Sequence, residues 1–247
     1  MVILGIDVGG TSIKAALVDV ATGRLASDRH QVPTPAGATP AGIAEAVGVV
    51  VRGFGWVGPI GCTLPTVVQG GRVRSAANVD PSWIGQDAVA LFGAATGCQV
   101  AVVNDADAAG LAEMSFGAGR GRAGVVVMLT FGTGIGSALF VDGVLVPNTE
   151  FGHIQVSGVE AETRAAAVMR EREALTWPVW AARVDTFLAA LEAALWPDVI
   201  IVGGGVSAVA EKWVPLLHTR SEVVVAGFEN DAGIVGAALV AQDRLGA

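Results

Sequence analysis

The middle of the chain places two carboxylates and an amide side by side, in the run Asn104-Asp105-Ala106-Asp107. Hydrophobic spacing predicts a buried strand over residues 100–103 and a helix over 106–116. The end of such a strand faces ligand clefts, and the first turn of such a helix favours negative charge. Asp105 is therefore the candidate for catalysis and Asp107 the candidate for complementing the helix dipole. Taken alone, Asp105 fits a helix N-cap as well as it fits catalysis.

A glycine-rich turn near the start of the chain combines Asp7, Gly9, Gly10, Thr11 and Lys14. Free backbone N–H groups, hydroxyls and a cation can together hold phosphoryl oxygens without side-chain bulk. The Asp7 carboxylate suits magnesium bound through water. A lone Gly-Gly pair favours an ordinary hairpin, so this turn needs support from elsewhere in the chain.

That support is a second turn of the same composition, formed by Thr130, Gly132, Thr133 and Gly134. Neither turn matches the Walker A loop or the Rossmann fingerprint, because the spacing to Gly-Lys-Ser/Thr is absent and no helix follows the glycines directly. The pair of turns predicts phosphate binding by hairpins.

A third group of polar residues runs from Asn148 to His153 and includes Glu150, with Glu162 a short way beyond. A carboxylate can accept hydrogen bonds from two hydroxyls at once and an imidazole can fix another, which suits a polyol. Isolated His and Glu residues are more often plain surface groups. No second ligand is spaced for metal binding by His153.

The pattern along the chain is that of an α/β protein. Hydrophobic periodicity predicts strands over residues 3–8, 15–20, 59–64, 100–103, 125–131 and 198–202. It predicts helices over residues 39–54, 87–95, 106–116, 161–172, 179–195 and from 232 onward. Residues 6–19 and 129–142 share one pattern of strand, Gly/Thr turn, strand and Asp, which predicts two related lobes that each present a hairpin to a shared cleft.

Composition limits the partners of the protein. Of its 247 residues 52% are hydrophobic and 15% charged, and the net charge of −8 argues against nucleic acid and anionic membranes as partners. Two distant cysteines suggest neither a disulfide framework nor a thiolate zinc site, which is typical of a reducing cytosol. The uncharged stretch 123–141 approaches the length of a membrane span, but its glycines predict two short strands around a turn.

Four segments together resemble the ROK family of sugar kinases and repressors, and the match spans nearly the whole chain. They are Ile6-Asp7-Val8-Gly9-Gly10-Thr11, Asn104-Asp105-Ala106-Asp107-Ala108-Ala109-Gly110, Leu129-Thr130-Phe131-Gly132-Thr133-Gly134-Ile135-Gly136 and Glu150-Phe151-Gly152-His153. Within that family, three further segments look most like actinobacterial polyphosphate glucokinases: Ala77-Asn78-Val79-Asp80, Ser82-Trp83-Ile84-Gly85 and Asn148-Thr149-Glu150.

The resemblance implies the actin-like ATPase and hexokinase fold, a ribonuclease H-like α/β architecture with two lobes around a central cleft. We expect one lobe over residues 1–103, with helix 232–247 packing back on it, and a larger lobe over 104–231. By motif position Asp105 is the general base on the glucose 6-hydroxyl. The resemblance implies sugar contacts from Asn78, Asn104, Asp105, Glu150, His153 and Glu162. It implies donor phosphates at Asp7, Gly9, Gly10, Thr11, Lys14, Thr130, Gly132, Thr133 and Gly134, with Gly203, Gly204 and Gly205 bordering the nucleotide.

The expected activity is a cytoplasmic, homodimeric glucokinase that uses Mg²⁺ with inorganic polyphosphate or ATP. The alternatives are a strictly ATP-dependent glucokinase or mannokinase and a sugar sensor without catalysis. Family members commonly carry a Cys-x-Cys zinc motif after Glu-x-Gly-His, and residues 154–161 contain no cysteine, so no zinc site is expected. Candidate cations for a polyphosphate groove are Lys14, Arg72, Arg74, Arg120, Arg122, Lys212 and Arg220, although solvated surface charge is the default for each.

Overall fold

The computed structural model describes residues 1–77 and 79–246, and the chain forms two compact units. Unit 1 comprises Met1–Ala112 and Asp231–Ala247, and unit 2 comprises Glu113–Asn230. The C-terminal helix thus belongs to the first unit. The first unit also extends past residue 103, because the first turns of the helix after that strand belong to it.

The elements alternate between strands and helices along the whole chain. The strands are β1 (Val2–Val8), β2 (Ser12–Asp19), β3 (Arg24–Leu25), β4 (His30–Pro33), β5 (Ile60–Leu64), β6 (Val68–Gln69), β7 (Arg72–Val73), β8 (Val100–Asn104), β9 (Val125–Phe131), β10 (Ile135–Val141), β11 (Val144–Val146), β12 (Gln155–Val156), β13 (Val159–Glu160), β14 (Val199–Gly203) and β15 (Glu222–Val225). The α-helices are α1 (Pro40–Gly53), α2 (Ala88–Thr96), α3 (Asp105–Phe116), α4 (Glu162–Ala165), α5 (Ala167–Arg172), α6 (Trp177–Leu195) and α7 (Ala232–Leu245).

The main sheet of unit 1 has the order β3-β2-β1-β5-β8, with β4 also paired to β2. Strands β1 and β2 form an antiparallel hairpin, whereas β5 is parallel to both β1 and β8. Every residue of β5 and β8 is buried, as expected for parallel strands covered on both faces. Because α7 lies directly on this sheet, a Cβ atom at Gly5 or Gly61 would overlap the carbonyl of Ile234 or Ala237.

The main sheet of unit 2 has the order β11-β10-β9-β14-β15. It repeats the pattern of unit 1, since β9 and β10 form an antiparallel hairpin and β14 is parallel to β9 and β15. The repeated pattern in the sequence is therefore a repeat of sheet topology. The core of unit 2 contains an edge-to-face aromatic cluster in which the ring centroids of Phe131, Trp180 and Trp213 lie 5.0–6.0 Å apart.

The single helix predicted over residues 161–172 is wrong, because the structure has two short helices there. Ala166 lies between α4 and α5 with φ −59° and ψ 150°, which is an extended conformation. The backbone N–H of Val168 donates to the Gly132 carbonyl at 3.1 Å instead of continuing a helix. A tertiary hydrogen bond thus overrides the local helical pattern.

The uncharged stretch over residues 123–141 forms the hairpin of β9 and β10, as the sequence predicts. Among the described residues, no helix has both the length and the apolar character that crossing a membrane requires.

Candidate active site

The helix that begins at Asp105 is capped by the residue before it. The Oδ1 atom of Asn104 accepts a hydrogen bond from the backbone N–H of Asp107 at 3.0 Å, which is the bond an N-cap side chain makes. The Nδ2 atom of Asn104 donates to the Thr66 carbonyl at 3.2 Å. Asn104 is 6% exposed, so its side chain holds β8, α3 and the Thr66 loop together.

Asp105 is consequently the first residue of α3, and the N-cap bond of this helix is made by Asn104 instead. Its carboxylate Oδ1 accepts from the backbone N–H of Ala106 at 2.9 Å, and the residue is only partly buried. A partly exposed carboxylate at the end of a parallel strand is well placed to take a proton from a ligand.

The first phosphate turn lies at the same end of the unit 1 sheet. The hairpin between β1 and β2 is closed by the backbone N–H of Gly9 donating to the Ser12 carbonyl at 3.0 Å. A Cβ atom at Gly10 would meet nothing within 4 Å, so the turn is open above that residue. The Thr34 hydroxyl donates to the Gly9 carbonyl at 2.6 Å and fixes the turn from the side.

Asp7 lies near the end of β1, just before this turn, and is partly buried. The Thr63 hydroxyl donates to its Oδ1 atom at 2.8 Å, and a Cβ atom at Gly233 would lie 2.7 Å from its Cγ atom. Burial raises the pKa of the Asp7 carboxyl, against the lowering effects of the Thr63 hydrogen bond and the charge of Lys14. Lys14 is directly opposite Asp7 in the β1–β2 register.

The second phosphate turn joins β9 and β10 in unit 2, with the backbone N–H of Gly132 donating to the Gly134 carbonyl at 3.0 Å. The strand β14 places Gly203 beside Thr130 in register. Gly204 has φ +83°, and a Cβ atom there would overlap the backbone of Phe131. The structure therefore brings the residues 203–205 of the predicted nucleotide region against the phosphate turn.

Ser137 on β10 positions the segment of unit 2 that carries Glu150 and His153, two of the predicted sugar contacts. Its hydroxyl donates to the Thr149 carbonyl at 2.8 Å and accepts from the backbone N–H of Phe151 at 3.0 Å. A 3₁₀ turn over Phe151–His153 follows, and a Cβ atom at Gly152 would overlap the Ile135 carbonyl. The glycine before His153 is therefore a requirement of packing against β10.

Three carboxylates surround the imidazole of His153. Its Nδ1 atom lies 3.2 Å from Glu160 and 3.7 Å from Glu162, and its Nε2 atom lies 3.7 Å from Glu150. Burial acts to lower the pKa of His153, but the Glu160 hydrogen bond and the negative charges of Glu162, Glu150 and Glu160 outweigh it, and the pKa is raised. Burial raises the pKa of Glu150, with His153 opposing the shift and Glu162 adding to it.

Glu162 connects this cluster to the second phosphate turn. Its Oε2 atom accepts from the backbone N–H of Ile135 at 3.1 Å, and a Cβ atom at Gly134 would lie 2.5 Å from that oxygen. One ligand atom each from His153, Glu160 and Glu162 lies within 4.8 Å of the other two, so the described residues include a nitrogen and two oxygens that could share a cation. This set contains no cysteine.

The structure thus assembles the predicted residues in two places. Unit 1 brings together Asp7, the turn at 9–11, Asn104 and Asp105 at the carboxyl ends of β1 and β8, while unit 2 brings together the turn at 130–134, Glu150, His153, Glu162 and Gly203–Gly205. Asn78 lies outside the described residues. Sequence reasoning missed Glu160, whose signal was its position two residues before Glu162.

Of the seven predicted groove cations, several have other partners. Arg72 pairs with Asp87 at 3.3 Å, Arg122 pairs with Glu222, and the guanidinium of Arg220 stacks on Trp196 at 3.7 Å. Arg170, which was not among these candidates, stacks on the ring of Trp177 at 3.7 Å.

Comparison with known proteins identifies the family. The sequence pattern of the ROK family matches residues 3–168, and the chain belongs to that family. A polyphosphate glucokinase of Mycobacterium tuberculosis (strain CDC 1551 / Oshkosh) is 56% identical over 236 residues, which cover 95% of this chain and 89% of that relative.

Solved structures agree with this assignment. The crystal structure of an inorganic polyphosphate/ATP-glucomannokinase from Arthrobacter sp. strain KM superposes with a TM-score of 0.95 at 46% identity, covering 98% of this chain and 99% of the other. A ROK glucokinase from Streptomyces griseus in complex with glucose and AMPPNP gives a TM-score of 0.85 at 26% identity, covering 98% and 100%. The predicted ROK membership and the actin-like ATPase/hexokinase fold class are therefore confirmed.

Proposed function

We propose that the protein is a glucokinase that transfers a terminal phosphoryl group from inorganic polyphosphate, and from ATP, to the 6-hydroxyl of glucose. The support is the 56% identity to a polyphosphate glucokinase over nearly the whole chain and the 0.95 TM-score to a polyphosphate/ATP-glucomannokinase. Both relatives are phosphotransferases with an alcohol acceptor. This chain has a partly exposed carboxylate, Asp105, directly after β8, where it could serve as the base.

In the proposed mechanism Asp105 accepts the proton of the glucose 6-hydroxyl as the oxygen attacks the terminal phosphorus of the donor. The P–O bond to the donor chain breaks as the new P–O bond forms, and the shortened donor leaves with the negative charge. The backbone N–H groups of the turns at 9–11 and 130–134 stabilise the donor oxygens. Glu150, His153, Glu162 and Asn104 hold the remaining hydroxyls of the sugar.

Magnesium is the implied companion of either donor, and Asp7 fits a contact through water. Thr63 fixes one of its carboxylate oxygens, and the neighbouring turn is open at Gly10. A cation there would offset the burial that raises the pKa of Asp7. When bound, the ion supplies positive charge that neutralises the donor phosphates.

The observation that carries the proposal is the division of work between Asn104 and Asp105, because Asn104 makes the cap bond and leaves Asp105 at the strand end. Asp105→Asn should lower kcat by about 10²- to 10⁴-fold and change the glucose Kd much less. Asp87→Asn is the control, since Asp87 is a real N-cap in the same unit, bonded to the Ala90 N–H at 3.0 Å, and Asn preserves that bond. An equal loss of glucose binding and turnover in Asp105→Asn would contradict the role.

A strictly ATP-dependent kinase is the second candidate, favoured by the relative solved with AMPPNP. Initial rates with purified protein and Mg²⁺, crossing glucose or mannose with ATP or polyphosphate, separate the two and rank the sugars. Turnover with ATP alone would select this second candidate. No product with any pair would favour a sugar sensor.

A homodimer in the cytoplasm completes the proposal. Size-exclusion chromatography with light scattering tests the assembly, and a single-chain mass would contradict it.

A further inference from the structure

Two cationic side chains of unit 2 lie near the ring of the same tryptophan, Trp177. The guanidinium of Arg170 on α5 stacks on the Trp177 ring at 3.7 Å from its centroid, and the ammonium of Lys212 lies 6.0 Å from the same centroid. We call these three residues the cation cluster. Within the part of the chain that the structure describes, neither cation is in an ion pair, and the Nε atom of Arg170 is buried without a hydrogen-bond partner.

The cation cluster is tied to the second phosphate turn through both of its elements. The backbone N–H of Val168 in the first turn of α5 donates to the Gly132 carbonyl at 3.1 Å. Arg170 follows two residues later, which is about 3 Å of helical rise. On the other side, Lys212 precedes Trp213, whose ring lies 5.7 Å from that of Phe131, the last residue of β9.

The chemistry of the cation cluster fits binding of an anionic ligand, because no ion pair among the described residues involves Arg170 or Lys212. Stacking on an indole orients a guanidinium and leaves its edge N–H groups to donate to phosphate oxygens. Placing two cations together without an acidic partner is unfavourable until an anion joins them. Since Arg170 already covers the Trp177 ring, the surface offers charge rather than a bare aromatic face for a nucleobase.

We propose that the cation cluster is a subsite for the phosphates of inorganic polyphosphate that follow the one being transferred. This inference rests on the proposed function and adds the residues that hold the extended donor. Every unit of a linear polyphosphate carries negative charge, so each cation placed beyond the phosphate turn should increase its binding affinity. ATP ends in a nucleoside and gains less.

The test compares Arg170→Gln/Lys212→Gln with the wild type and with Arg24→Gln at saturating glucose. Arg24 is the control because it is an exposed arginine on β3 of unit 1 and has no assigned role in binding the sugar or the donor. We expect the double variant to raise KM for long-chain polyphosphate about tenfold and KM for ATP less than about threefold. The control should leave both values unchanged.

Salt dependence gives a readout that a purely structural role would not move. Each cation removed from contact with a polyanion should reduce the slope of log KM against log salt by about one unit, so the double variant should lose about two. Arg170→Lys keeps the charge and should restore part of the lost affinity. An unchanged KM for polyphosphate, or an equal rise for ATP and polyphosphate, would overturn the subsite.

Failure of the proposed donor is distinguishable from failure of the subsite. If the wild type uses ATP but not polyphosphate, the donor assignment is wrong, and polyphosphate can then be tested as an inhibitor of the ATP reaction. An inhibition constant that is the same in the wild type and the double variant would overturn the subsite independently.

Discussion

Replacing Glu113 should destabilise the protein more than any exposed charge would, because its carboxylate is fully buried and satisfies three backbone donors. Its Oε1 atom accepts from Gly227 and Phe228 at 2.8 Å each, and its Oε2 atom accepts from Ala118 at 2.8 Å. These bonds join the end of α3 to the segment that leads into α7. Glu113→Gln keeps the size of the side chain and removes the charge and one acceptor.

The cost follows from the hydrogen bonds. In Glu113→Gln the amide oxygen can keep two donors, but the amide NH₂ group must then face the N–H of Ala118. The variant loses one hydrogen bond, and its other two hydrogen bonds go to a neutral acceptor instead of a charged one. Each of these three changes should cost about 1 kcal/mol or more, so the free energy of unfolding should fall by about 3 kcal/mol. For a chain of this size that lowers Tm by about 6–12 °C.

Thermal and urea denaturation, followed by circular dichroism, measure both quantities. The control is Glu222→Gln, which removes an exposed ion pair with Arg122 and should cost less than about 1 kcal/mol. Gly117→Ala should also lower the free energy of unfolding, as Glu113→Gln does, because the Cβ atom of the alanine would overlap the Glu113 carboxylate. A loss below about 1 kcal/mol for Glu113→Gln would refute the account of its three bonds.

Gly61→Ala should lower the free energy of unfolding by about 3 kcal/mol or more, because its Cβ would overlap the backbone of Ala237. Gly53→Ala, where a Cβ meets nothing within 4 Å, should be neutral or stabilising by up to about 1 kcal/mol, and similar urea midpoints for the two would contradict this packing. Glu160→Gln should lower the pKa of His153, since Glu160 is one of the groups that raise it. A raised folded-state pKa of His153 stabilises the fold at pH values below the unfolded-state pKa, and this stabilisation is lost as the pH rises through the folded-state pKa. The stability deficit of Glu160→Gln should therefore be largest at low pH and shrink as the pH rises through the raised pKa of His153. Histidine NMR titration and denaturation at each pH measure both effects, and an unmoved His153 pKa would contradict them.

The elements with strong periodicity were predictable from the sequence because their local pattern and their packing agree. The helix predicted over residues 106–116 and the strand over 125–131 match α3 and β9 to within one residue. The division of residues 161–172 into α4 and α5 was not predictable, because it depends on a hydrogen bond from Val168 to Gly132, a residue far away in sequence. Hydrophobic periodicity indicates which residues face a core, but it does not indicate hydrogen-bond partners that are distant in sequence.

The candidate site shows the same limit at the level of side chains. Motifs located Asn104 and Asp105, but only the geometry assigned the cap to Asn104. Glu160 escaped notice because β12 and β13 are short strands with little apolar alternation, and their hairpin is what carries Glu160 to His153. Arg170 escaped notice because its stacking on Trp177 depends on the break after α4.

The net negative charge of the chain need not prevent binding of a polyanionic donor, because salt screens charges that are far from the binding site. At physiological ionic strength, charges are screened over about 8 Å, so the net charge of −8 acts weakly on a phosphate held at a turn. What matters is the charge within that range. The glycine turns supply N–H dipoles, and the cation cluster supplies two positive charges that are in no ion pair among the described residues. A protein of this charge can therefore bind polyphosphate through a local concentration of cations, and its affinity should depend on those few residues rather than on its pI.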